Sequence, residues 1–521
     1  MGKLIRLGFA AFVLSMATRE VSAKDQLSMD RVMTADGTIQ GTLEGDVAAF
    51  KGIPFAAPPV GSLRWRAPQP VVKWSGIRSA TAFGASCVQA KSGLDGGNTQ
   101  SEDCLTANVW TKRNHLHKRL PVMVWIYGGG FVVGSSASPF YNGTPFVGRD
   151  VVLVSFNYRL GRFGFFAHPA IDVRSNLEPI GNYGIQDQIA ALKWVKKNIS
   201  AFGGDPENVT IFGESAGAIS VNILMTTPEA RGLFVKAIAQ SGFGRTDPPS
   251  LATAEASGIA FATRQGITGD GAGTASALRA LSTNAVLGEA VTLLDPAIPK
   301  PMIDGRIIRE RTDMAFAKGH QMKIPYLLGG NSFESSLFAL VISANPSAVF
   351  KRSGISQEKA IQLFGEGDAM RAAFNLATVS LMTEPDRYLA DKGVDAGMPI
   401  FRYYFSYVPK ALRGAEPGAV HGAEVPYVFT ALPAVATRLG GRLIPAASAE
   451  DRVIAEAMQT YWTNFAKTGA PGTSANVRWP AYAPGQTTIL EIGNAGVTVR
   501  PPLFPEQLDA VKAAAQALGA P

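Results

Sequence analysis

The 521-residue chain predicts an α/β protein with one large, mostly parallel central sheet and helices on both faces. Continuous apolar runs are the first observation. "PVMVWIYGGG" (121–130) and "DVVLVSFNYR" (150–159) lack the polar alternation of a strand with one wet face, so they suit strands buried on both sides. Helical periodicity follows them: between 182 and 199, Ile185, Ile189, Leu192 and Ile199 fall on one face, and Gly203-Gly204 ends the helix. The third observation is repetition, with further strands expected at "VTIFG" (209–213), "VKAIAQSG" (235–242), "IPYLLGGN" (324–331), "PIFRYYFSY" (399–407) and "TTILEIG" (487–493). Strand and helix alternating over this span mean a doubly wound sheet.

Ahead of these elements, "GTIQGTLEGDVAAFKGIPFAAPP" reads as an antiparallel hairpin with glycine turns. Segments 245–322 and 340–395 are weakly patterned and mostly helical, and are expected to cap the C-terminal edge of the sheet. No internal repeat is visible. The N-terminus has Lys3 and Arg6, then an apolar stretch from Leu7 to Ala17, then Val21-Ser22-Ala23. That is the pattern of a secretory signal peptide over residues 1–23, leaving one domain over 24–521. The apolar stretch is too short for a permanent membrane span. Lys24 follows Ala23, which argues against a lipid-anchoring cysteine. The protein is therefore expected to be secreted or periplasmic.

Composition is that of a globular protein, 46% hydrophobic and 17% charged. Loss of residues 1–23 would reduce the formal charge from +8 to +6. No basic run concentrates that charge, "TKRNHLHKR" (111–119) being the densest, so nucleic acid is not an expected partner. There are two cysteines, Cys87 and Cys104, with no histidine near enough to suggest a metal site. In an exported protein a disulfide is the expected use, worth roughly 3 kcal/mol by loop closure. Buried free thiols are the alternative.

The motif with chemical content is "GESAG", Gly213 to Gly217, set between an expected strand and an expected helix. A nucleophilic serine on such a turn needs small neighbours, because side chains at the flanking positions would strike adjacent backbone. The amides after it, at a helix N-terminus, face the place where an oxyanion would form. Ser215 then needs a base. Of the five histidines (His115, His117, His168, His320 and His421), only His421 lies well beyond Ser215 with room for an acid between them, His320 being its one rival. Glu334, just past the strand ending near Gly330, is the expected acid, with Asp304 and Asp386 less well placed. Gly128, Gly129 and Gly130 follow the strand at 121–127 and would supply oxyanion amides. A phosphate loop is excluded there, since neither G-x-x-x-x-G-K-[ST] nor G-x-G-x-x-G occurs.

In order along the chain stand "FKGIPFAAPPVGSLRWRAP", "SEDCLTANVW", "VMVWIYGGGF", "VSFNYRLGRFGF", "GNYGIQDQ", "FGGDPENVTIFGESAGA", "QSG" and "HGAEVPYVF". With these motifs the sequence resembles the type-B carboxylesterase family, which includes the cholinesterases, on the α/β-hydrolase fold, over nearly all of the chain after residue 23. The resemblance implies Ser215 as nucleophile, Glu334 as acid and His421 as base, with Gly129, Gly130 and Ala216 as oxyanion donors. It also implies Glu214 close to the site, Ser241 behind it, ion pairs Arg64–Glu102 and Arg159–Asp187, and a Cys87–Cys104 disulfide. No cofactor or metal is implied.

The departures matter equally. Ser335 follows the acid where glycine is usual in the family. Thr106 and Ala107 stand where bulkier residues are common, and Arg162 where an uncharged residue is usual. The loop between the cysteines, "VQAKSGLDGGNTQSED", has no aromatic residue to hold a quaternary ammonium, which argues against choline esters. The expected function is hydrolysis of a small ester, xenobiotic or anionic if Arg162 faces the site. An amidase or lipase with the same triad is the nearest alternative. A binding protein on the same fold would have lost triad residues, and here all are present.

Overall fold

The computed structural model describes residues 30–113, 118–171, 180–288, 298–439, 442–483, 488–501 and 503–521. The expected signal peptide, His115 and His117 lie outside the described residues. The strands of the main sheet, in chain order, are β1 (Thr42–Glu44), β2 (Val47–Pro54), β3 (Thr106–Lys112), β4 (Leu120–Ile126), β5 (Val152–Phe156), β6 (Gly204–Glu214), β7 (Lys236–Gln240), β8 (Tyr326–Asn331), β9 (Ile400–Phe405), β10 (Ile489–Gly493) and β11 (Gly496–Arg500). They form an 11-stranded sheet in the order β11-β10-β9-β8-β7-β6-β4-β5-β3-β2-β1. From β10 across to β5 neighbours run parallel, and both edges are antiparallel.

The apolar runs behave as their composition requires. Val122 to Ile126, Val152 to Phe156 and Val209 to Phe212 are all buried, so β4, β5 and β6 form the dry centre of the sheet. The expected N-terminal hairpin is β1–β2 at one edge. Two strands were not legible as strands. β3 carries Thr106, Asn108 and Thr111 among its apolar residues, which breaks the pattern. The tertiary structure satisfies the two buried ones: Asn108 donates to Ser136 Oγ at 3.0 Å and Ser155 Oγ at 3.1 Å, and Thr111 donates to the Phe202 carbonyl at 2.8 Å. The small Ala107 faces Phe156 across the β3–β5 pair. At the far edge, β11 is half-exposed and has no continuous apolar signature.

The helices around the sheet are α1 (Tyr183–Asn198), α2 (Ala216–Thr226), α3 (Leu251–Arg264), α4 (Ala369–Thr378), α5 (Glu384–Asp395), α6 (Ala449–Thr468) and α7 (Pro505–Ala517), with shorter ones between. Helix α2 packs on β6 and β7, α5 on β8 and β9, and α6 on β4 and β6. Ser448 and Asp451 close a reciprocal capping box at the start of α6. Among the described residues no helix is long and apolar enough to cross a membrane.

Both insertions are mostly helical, but they do different work. The first packs Phe261, Leu278 and Val286 against Trp65, Phe163 and Phe166, and its residues Thr246 to Pro249, with Lys300 and Pro301, border the main cavity. The second, 340–395, buries Phe350, Phe364 and Leu376 against Leu508 and Val511 of α7 in a satellite core. None of its described residues borders the cavity, because its apolar face is already covered by α7.

Two buried ion pairs and a disulfide hold the connections. Arg64 grips Glu102 through both carboxylate oxygens and donates to the carbonyls of Arg279 and Leu281, tying the disulfide loop to the first insertion. Cys87 and Cys104 are bonded. Arg159, just past β5, donates to Asp187 of α1 from Nε at 2.8 Å, Nη2 at 2.7 Å and its backbone N–H at 3.0 Å. Both side chains are buried, so each charge is solvated only by the other. Asp187→Ala would strand the guanidinium, and equilibrium denaturation is expected to register a loss of about 3–5 kcal/mol. A loss below about 1 kcal/mol would contradict this account.

Candidate active site

The turn from β6 to α2 is as tight as the "GESAG" spacing requires. Ser215 sits between strand and helix with φ 55°, a left-handed value that costs energy for a residue with a side chain. Neighbouring backbone explains the flanking glycines. A Cβ on Gly217 would come within 1.9 Å of the Ile126 carbonyl oxygen, and one on Gly213 within 2.6 Å of the Gly217 carbonyl carbon. The parallel pairing of β6 with β4 sets Gly213 opposite Ile126 and creates that crowding. The Ser215 amide is held by the Gln240 carbonyl at 2.9 Å.

The glycine loop after β4 is crowded in the same way. Gly129 has φ 107°, and a Cβ there would meet the Val133 carbonyl oxygen at 2.1 Å. A Cβ on Gly128 would meet Glu214 Oε2 at 2.6 Å and the Ser215 Cβ at 3.0 Å, so the loop lies directly against the serine turn. Gly128, Gly129, Gly130, Ser215, Ala216 and His421 border one cavity of about 700 Å³.

Glu334 opens a short helical turn after β8 and is fully buried. Its Oε2 meets His421 Nδ1 at 2.5 Å. Its Oε1 accepts from Ser241 Oγ at 2.5 Å and from the Asn331 backbone N–H at 2.6 Å. Those donors hold the carboxylate in one orientation. His421 Nε2 lies 3.2 Å from Glu214 Oε1, and has no hydrogen-bond partner among the described residues. Phe243 packs edge-on to the imidazole. Ser241 also has positive φ, 57°, which brings its hydroxyl to the acid.

A third carboxylate, Glu424, was not anticipated. It accepts from Gln240 Nε2 at 3.0 Å and Asn331 Nδ2 at 2.6 Å, while Trp462 Nε1 holds the Gln240 side chain. The signal was available, because an acid three residues after His421 returns to the same side of a helical turn. Burial drives the Glu214 carboxyl above its ordinary range; the His421 charge opposes this, and Glu424 and Glu334 reinforce it. Burial alone would lower the His421 pKa, but Glu214 and Glu334 together outweigh it and hold the imidazole proton more tightly than usual.

The rival residues lie elsewhere. Asp304 accepts backbone N–H groups of Arg306 and Ile308 in a turn. Asp386 is buried in α5, where desolvation lifts its pKa to about 8 despite Arg402. His320 is half-exposed and bound to Glu310 at 2.6 Å, and His168 accepts the Ala170 N–H. Ser335, the departure beside the acid, is buried; its backbone N–H donates to Thr378 Oγ1 of α4 at 3.1 Å, and its hydroxyl accepts from Thr378 Oγ1 at 3.0 Å, the one of these two bonds that a glycine would lack. Arg162 does not border the cavity. It donates to the Val286 carbonyl at 2.6 Å and stacks over Phe261, so an anionic substrate gains nothing from it. From the disulfide loop only Ser92 and Leu94 reach the cavity, neither able to supply a cation–π face. Among the described residues no group of three or more His, Cys, Asp or Glu could hold a metal ion.

Comparison with known proteins agrees with this architecture. The model of the carboxylesterase family matches residues 28–365 and 365–511. The chain is 37% identical over 470 residues to a fumonisin B1 esterase of Sphingopyxis macrogoltabida, covering 86% of this chain and 84% of that protein. It is 35% identical over 470 residues to a para-nitrobenzyl esterase of Bacillus subtilis, covering 87% and 92%. Among solved structures, the Geobacillus stearothermophilus carboxylesterase EST55 superposes with a TM-score of 0.81 at 33% identity, covering 92% of this chain and 99% of that one. The chain therefore belongs to the carboxylesterase family and is a carboxylic ester hydrolase with the α/β-hydrolase fold.

Proposed function

We propose that the protein is an exported serine carboxylesterase in which Ser215, His421 and Glu334 form the catalytic triad and the amides of Gly129, Gly130 and Ala216 form the oxyanion hole. The observation that carries the reading is the buried Glu334–His421 contact at 2.5 Å, opening onto the same cavity as a serine in strained backbone. His421 Nε2 removes the Ser215 proton as Oγ bonds to the ester carbonyl carbon, and the carbonyl electron pair moves onto oxygen. The tetrahedral intermediate collapses when His421 returns the proton to the leaving alkoxide, which departs as the alcohol. Water repeats the sequence on the acyl-enzyme, releasing the acid and restoring Ser215.

The oxyanion reading rests on the glycine loop lying against the serine turn and on the Ala216 amide at the start of α2. One such donor is typically worth about 3–4 kcal/mol in the transition state. Phe131, Phe140, Ile219, Ile223 and Leu337 give the cavity mainly apolar walls, which favours a neutral acyl or alcohol group over a carboxylate-bearing one. The names of the relatives support a small ester, including a xenobiotic one, as substrate. Export rests on the signal-like pattern over residues 1–23 and agrees with the disulfide.

Ser215→Ala is expected to lower kcat by roughly 10⁴–10⁶ on a p-nitrophenyl ester and to abolish fluorophosphonate labelling. Activity within tenfold of wild type would sink the assignment. The acid limb of the kcat/KM profile reports His421 losing its proton. Glu214→Gln removes a carboxylate that favours imidazolium, so the limb is expected to move to lower pH. An unmoved limb, or one displaced upward, would remove Glu214 from the electrostatic account.

A further inference from the structure

The loop bearing the acid and the loop bearing the histidine are joined by more than the carboxylate–imidazole contact. The peptide group joining Val420 to His421 is gripped at both ends by side chains from the acid loop. Asn331 Nδ2 donates to the Val420 carbonyl at 2.9 Å, and the His421 N–H donates to Ser336 Oγ at 2.9 Å. These residues flank Glu334 three positions before and two after. Behind them, the Phe333 N–H donates to the Ala419 carbonyl at 2.8 Å, and the Ala419 N–H to Ser332 Oγ at 2.8 Å. Asn331 also reaches Glu334 through its backbone N–H and Glu424 through its amide. It is itself the buried last residue of β8, fixed by the sheet.

We propose that Asn331 and Ser336 are positioning residues: they clamp the Val420–His421 peptide and so set the imidazole against both Glu334 and the nucleophile. The inference rests on the reading of His421 as the base. The physical reason is leverage. Residues 419–423 meet the acid loop through one isolated β-bridge, Phe333 to Val420, with no continuous ladder beyond it, so without the clamp the ring would be freer to pivot about its bond to Glu334. Misplacement of a base by a fraction of a bond length is costly, since proton transfer from Ser215 needs hydrogen-bond reach. Both side chains act through His421, with no contact to the reacting atoms required.

The test uses the full-length enzyme and four variants, Ser336→Ala, Ser336→Thr, Asn331→Ala and Ser215→Ala, assayed on a neutral p-nitrophenyl ester. Ser336→Ala and Asn331→Ala are expected to lower kcat roughly ten- to hundredfold with KM within about threefold, the pattern of lost orientation. Ser336→Thr keeps the hydroxyl and is expected to recover most of the loss. The far-downfield proton resonance of His421 Nδ1–H bonded to Glu334 is expected to shift or broaden in the alanine variants and return in the threonine one. If Asn331→Ala fails to fold, the serine pair decides the question alone. Alanine variants within about twofold of wild type in kcat, equal losses in the alanine and threonine variants, or an unchanged resonance would each overturn the clamp. If Ser215→Ala itself keeps its activity, the triad reading fails; if it is inactive while the clamp variants behave as wild type, only the clamp fails.

Discussion

The Ile126 carbonyl oxygen stands where a side chain at position 217 would begin, and much of the site follows from that crowding. Parallel pairing of β4 and β6 brings the end of one strand against the turn that leaves the other. The turn closes only with glycine at 213 and 217 and with Ser215 held at positive φ. Once closed, it projects the serine from the C-terminal edge of the sheet, starts α2 at Ala216, and lays the glycine loop beside it. Ser215 and the glycine-loop amides thus come from adjacent strands, and their spacing is inherited from the sheet.

Charge is managed with the same economy. Three buried carboxylates, Glu214, Glu334 and Glu424, surround one imidazole, and each has a different environment. Glu334 takes two donors on one oxygen and the histidine on the other, which suits it to orient the imidazole. Glu424 accepts from two amide donors, yet burial and the Glu334 charge still raise its pKa. Glu214 faces Nε2, and burial raises its carboxyl pKa to about 8 against the pull of the His421 charge. The carboxylates around His421 therefore set how firmly its imidazole holds a proton.

The parts legible in the sequence were those governed by local rules. Strands β4 to β8 declared themselves by unbroken apolar runs, α1 by its periodicity, and the serine turn by its glycines. Glu334 and His421 could be selected because chain order and loop context leave few candidates. Strand β3 was hidden because Asn108 and Thr111 find their partners on segments distant in sequence, and Glu424 because its role depends on Gln240 and Asn331 far away in sequence. Arg162, read from sequence as a residue that could face the site, is drawn away by carbonyls of the first insertion.

The sequence by itself determined that this chain forms a mostly parallel sheet with a tight serine turn, a glycine loop and a disulfide-compatible pair of cysteines, because backbone sterics and hydrophobic periodicity act over a few residues. Only the tertiary structure decided which side chains border the cavity, which carboxylates share the histidine, and how the peptide before His421 is held. Those depend on packing between segments far apart in the chain, such as the 222 residues that separate the partners of the Trp462–Gln240 bond. Hydrogen bonds of that kind are fixed by the close packing of the whole core, and no stretch of the chain read alone contains them.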